Sequence, residues 1–60
     1  MKPDLKAKSI YRNAIFFTKE HKMAYELCLF IINSHINYCR KMDDKAYWIE
    51  VKMALDANNN

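Results

Sequence analysis

The two histidines and two cysteines of this sequence have the chemistry of zinc ligands or a nucleophilic dyad, and they are regularly placed: His21, Cys28, His35 and Cys39. The first three recur every seven residues, and the last two are four apart. On a helix a four-residue spacing puts two side chains on one face, and a His/Cys pair is acceptable ligation for zinc. The seven-residue spacing does not help, because two turns separate the groups by about 10 Å. A closed site would need a second His35/Cys39 pair from a symmetry mate, and no CxxC accompanies this one. The same two residues could touch as a nucleophilic dyad, but catalysis also needs an orienting third group, an oxyanion site and a cleft. A short helical chain without glycine offers neither a backbone nest nor an obvious pocket. The sequence therefore predicts structural cysteines, with no catalytic residue, no metal and no cofactor.

The elements that carry these residues follow from what the chain lacks. Glycine is absent and the only proline is Pro3, so the punctuation of hairpins and tight turns is missing and an all-α fold is expected. Pro3 and Asp4 suit the first turn of a helix over about 4–17. Thr18 can cap a second helix over about 20–41, with Arg40 and Lys41 in its last turn. Nothing at 18–22 forbids helix, so one continuous helix from about Ser9 to Lys41 is the alternative. Asp43 reads as the N-cap of a third helix over about 44–57, with residues 58–60 a frayed tail. The fold class is thus a small bundle of two to three helices.

Helix 2 raises a packing problem. Ala24, Cys28, Ile31, His35, Tyr38 and Met42 form one column at helical spacing. Met23, Leu27 and Phe30 form a second, and Tyr25, Leu29, Ile32, Ile36 and Cys39 a third. A helix that is apolar all round is a buried helix, so helix 2 is expected to be central and covered. A chain of 60 residues buries only about 60% of the surface its unfolded form exposes and is marginal alone. If Cys28 and Cys39 share a helix they stand roughly 16 Å apart, too far for a disulfide, which needs about 7 Å. Association with a second copy or a different protein would complete the core, and a homodimer in which helix 2 and part of helix 1 or 3 pack on their mates about a two-fold axis is the favoured form. Glu26, Asn33, His35, Asn37 and Arg40 interrupt the apolar run too early for a membrane span. With no signal peptide and no cysteine framework, a cytoplasmic setting is expected.

Two surfaces could bind a partner. Tyr47, Trp48 and Val51, with Phe16 and Phe17 behind them, are the apolar candidates for protein contact, although Phe16 and Phe17 could instead pack on helix 2. Residues 1–22 are basic, with Lys2, Lys6, Lys8, Arg12, Lys19 and Lys22 against Asp4 and Glu20. Residues 43–60 are acidic, in a chain of formal net charge +3. Lys2, Lys6, Lys8 and Arg12, with Tyr11 beside them, are candidates for contacts to nucleic-acid phosphates. Helical phase scatters them, and only Lys8 and Arg12 form a clean four-residue pair.

In length, scarcity of glycine, helical pattern and richness in Lys, Asn and aromatic residues, the chain resembles the short accessory proteins of the early regions of lambda-type temperate bacteriophages. The resemblance spans the chain as general character and rests on no motif, so it carries over no residue. It implies a protein that modulates host or phage processes by binding another macromolecule. The expected function is non-enzymatic and regulatory, through protein–protein interaction, with nucleic-acid binding through the basic N-terminal helix as the alternative.

Overall fold

The computed structural model describes residues 1–58 and is an all-α bundle of three helices, α1 (Pro3–Thr18), α2 (His21–Tyr38) and α3 (Met42–Asn58). The sequence placed the frayed tail at 58–60; Asn58 is the last residue of α3, and Asn59 and Asn60 lie outside the described residues. Each helix packs against both others. Tyr47 near the start of α3 reaches the Met1 carbonyl before α1, and Tyr25 early in α2 reaches Asp56 late in α3. The helices therefore run up, down and up, with α1 and α3 parallel.

Pro3 occupies the first turn of α1 with Asp4 beside it, and the first α-helical bond runs from Lys6 N–H to the Lys2 carbonyl at 2.9 Å. The helix stops because Lys19 turns left-handed, at φ 60 and ψ 17, and its N–H closes on the Ile15 carbonyl at 2.8 Å. That is a C-terminal cap of the kind glycine favours, made by a chain that has none, at a cost of about 1 kcal/mol. The break expected near Thr18 is present, so the continuous helix does not form. Thr18 does not cap α2, however. Its hydroxyl donates to the Ala14 carbonyl at 2.9 Å and accepts weakly from Glu20 N–H at 3.4 Å, so it finishes α1. Glu20 stands at the α2 N-cap without a side-chain bond.

The second corner also differs from expectation. The α2 helix ends at Tyr38 rather than at Lys41, because Cys39 is extended at ψ 130 and residues 39–41 are used to reverse the chain. Arg40 and Lys41 are consequently in the connection and not in the last turn. Asp43 lies inside the first turn of α3, with Asp44, where both complement the helix dipole; it is not the N-cap.

The buried core is Ala7 and Ala14 of α1, Ala24, Cys28 and Ile32 of α2, and Val51 and Leu55 of α3. Alanines at the contact lines bring the helices close, and the larger side chains are pushed to the flanks. Tyr11, Ile15, Leu27, Leu29, Ile36, Tyr47 and Trp48 pack there, only partly covered. This explains how α2 is placed. Its line Ala24, Cys28, Ile32 is enclosed, and its two flanks lean on α1 and α3. Its outward face is left open, with Met23, Phe30 and Tyr38 exposed. Within one chain α2 is not covered all round, since two helices can flank a third but cannot surround it. No helix of the described residues is long and apolar enough to cross a membrane.

Candidate functional site

Of the four potential ligands only His35 and Cys39 come near each other, along one open cavity at the end of α2 with Ser34 and Tyr38. The His21 Nδ1 and the Tyr11 hydroxyl share a hydrogen bond at the α1–α2 corner. Cys28 is buried in the core, which pushes its thiol pKa above the ordinary value. His35 stacks on Trp48. Cys39 is the C-cap of α2 and turns extended only beyond its own Cα, so it stays beside His35 on the cavity they share, but two ligands do not close a metal site. Both cysteines are free thiols, and no group of three or more His, Cys, Asp or Glu side chains that could hold a metal occurs among the described residues.

The aromatic candidates of α3 divide. Val51 is 0% exposed and sits in the core, which removes it as a contact residue: its place on α3 faces inward, one turn before Leu55. Tyr47 and Trp48 are half-buried and already engaged. The Tyr47 hydroxyl donates to the Met1 carbonyl at 2.7 Å, and its ring meets Trp48 edge-on at 5.8 Å. Trp48 also has the Lys6 ammonium 5.9 Å from its ring centre. Together these side chains close the lower end of the bundle.

Phe16 and Phe17 do the opposite. Neither packs on α2 as a core residue, and Phe17 is 82% exposed. Phe17 lies three residues after Ala14 and seven after Ile10, so it extends the flank of α1 that adjoins α2. There Ile10, Asn13 and Ala14 meet Leu27 and Ile31 across a groove of about 220 Å³. On α2 the same side continues through Met23, Leu27, Phe30, Ser34 and Tyr38 at three- and four-residue steps. Phe30 is 71% and Tyr38 84% exposed. The α1–α2 face therefore presents three exposed aromatic rings around a groove whose lining residues carry no charge, with exposed Glu26 at its rim beside Phe30.

The basic candidates are split by the helix. Lys8 and Arg12 are exposed and rim a second groove, of about 370 Å³, between α1 and α3, which the Tyr11 and His21 pair borders at its upper end. Lys6 is turned away from them to Trp48, and Lys2 precedes the helix at its N-cap.

No protein-family model, curated protein or solved structure matches this chain. The residues themselves therefore carry the functional argument. Sequence reasoning took Met23, Leu27 and Phe30 for interior positions. What could have exposed the error is the pairing of that column with Phe17 across a two-residue corner, which predicts a shared outward face.

Proposed function

We propose that the protein is a non-enzymatic regulator that acts inside the cell by stoichiometric binding of another protein, with the α1–α2 face as its contact surface. The observation that supports this is the uncharged groove of Ile10, Asn13, Leu27 and Ile31 flanked by the exposed rings of Phe17, Phe30 and Tyr38. A cleft between two helices accepts the apolar side of a third, and the fitting partner segment is an amphipathic helix with anchors at three- and four-residue spacing. The aromatic rings supply contact area with few rotatable bonds to immobilise, as interface anchors commonly do. The general likeness to phage accessory proteins favours a partner in a bacterial host or in the phage itself.

Tagged protein used to capture partners from bacterial lysate tests the reading. A discrete protein retained after nuclease and high salt, and lost with Phe17→Ser plus Phe30→Ser, is the expected result. Capture indifferent to those substitutions would rule out the face. The second reading, nucleic-acid binding, is favoured by Lys8 and Arg12 sharing one groove with Tyr11 and His21. It predicts capture that is abolished by nuclease or salt and by Lys8→Glu plus Arg12→Glu, since phosphate contacts release counterions.

A further inference from the structure

The outward side of α3 carries a pattern that neither the core nor the α1–α2 face uses. Met42, Ala46, Ile49 and Met53 follow one another at steps of four, three and four residues, the spacing of a heptad seam. They lie opposite Val51 and Leu55, the residues that α3 buries in the bundle. Met42 is 79% and Met53 65% exposed, Ile49 is also exposed, and Ala46 between them leaves room for a backbone to approach.

Charge flanks this seam with one sign on each side. Asp43 and Glu50 border it on one edge, and Lys45 and Lys52 on the other. In heptad terms the acids follow the seam positions Met42 and Ile49, and the lysines precede Ala46 and Met53. Among the described residues no ion pair within the chain engages Lys45 or Glu50. When two identical helices pair in parallel, opposite flanks meet, so the lysine edge of each faces the acidic edge of the other. When they pair antiparallel, like flanks meet, and here like charges would oppose each other.

We infer that α3 is a homodimer surface, pairing with the α3 of a second copy in parallel about a two-fold axis that runs along the helices. Met42, Ala46, Ile49 and Met53 form the seam, and Lys45 of each chain reaches Glu50 of the other, twice per dimer by symmetry. Two heptads are too few to nucleate isolated helices, but α3 is already held helical by α1 and α2, so association does not bear that cost. This surface is separate from the α1–α2 face and does not depend on a partner binding there.

Sedimentation equilibrium of the full chain at roughly 100 µM, where a Kd of about 10 µM leaves most chains paired, is the direct test. Lys45→Glu turns both attractive pairs into repulsive ones and is expected to weaken dimerisation about tenfold or more, the equivalent of about 1.4 kcal/mol. Adding Glu50→Lys to it exchanges the edges and is expected to restore affinity. The sign discriminates, because in an antiparallel pair Lys45→Glu relieves a like-charge contact and strengthens association. A second readout uses Ile49→Cys with Cys39→Ser, which sets residue 49 against its own copy and should oxidise to a disulfide-linked dimer. A monomer at this concentration overturns the inference, as does strengthening by Lys45→Glu. So does a dimer that survives Ile49→Asp but is lost with Phe30→Asp, which would put the axis on α2.

Discussion

The imidazole of His35 and the indole of Trp48 lie face to face, with ring centres 3.9 Å apart and planes inclined by only 1°. The contact joins the last turn of α2 to the second turn of α3, and Tyr47 and Lys6 extend it to α1. It fastens all three helices at the end of the bundle that holds the starts of α1 and α3 and the end of α2.

Removing that fastening should cost stability before it costs anything else. Trp48→Ala is expected to destabilise the fold by about 2 kcal/mol, below the range for fully buried tryptophans because the ring is half-exposed. Phe30→Ser, on the open face, should change stability by no more than about 0.5 kcal/mol. Urea denaturation of both variants checks this. Equal losses would mean that Phe30 is packed.

The corner at Lys19 holds strain that a different residue would release. Lys19→Gly is expected to stabilise the protein by about 1 kcal/mol, offset in part by the greater freedom of glycine in the unfolded chain. For a domain of this size that gives a rise in Tm of a few degrees, about 4–8 °C per kcal/mol. A lower Tm would show that the left-handed cap is not what ends α1.

Alkali should remove the stability that Tyr25 contributes. Its hydroxyl donates to the Asp56 carboxylate, and that bond, then burial, then the carboxylate charge, raise its pKa above the ordinary tyrosine value. A group whose folded pKa is raised contributes stability that is fully present below the unfolded pKa and lost as pH rises through the folded value. The Tm difference between the native protein and Tyr25→Phe should therefore shrink from pH 10 upward and be constant below it. A difference that grows with pH would contradict the direction of the shift.

The two thiols should be easy to tell apart. Cys39 is expected to react with a thiol reagent in the folded protein, and Cys28 to wait for global opening, slower by about a hundredfold or more for an opening free energy of ~3 kcal/mol. Mass mapping of the labelled sites under native conditions checks this. Equal rates would place Cys28 outside the core.

How far the sequence could be read is clearest at particular residues. The missing glycine, Pro3 and Asp4 announced helices and where the first begins, because those signals act through the local backbone. The corner at Lys19 was not legible, since a lysine forced into a left-handed conformation looks like any other lysine. Val51 misled for a similar reason: beside Tyr47 and Trp48 it reads as part of an apolar patch, and only the phase of α3 against α1 and α2 turns it inward. On α2 the apolar columns were legible, but not which one is left uncovered. That depends on how closely Ala7, Ala14 and Ala24 draw the helices together, a property of three segments at once. The outward seam of α3 is written in the spacing of Met42, Ala46, Ile49 and Met53, beside the more conspicuous aromatic pair Tyr47 and Trp48.

In a three-helix bundle the cleft between two helices lies across the axis from the third, so the α1–α2 groove and the outer side of α3 look in opposite directions. A pair joined along α3 would hold its two clefts back to back, too far apart in aim to serve one site on one target. Such a particle is bivalent: it would grip repeated or oligomeric targets far more tightly than single ones, through raised effective concentration and without any further contact.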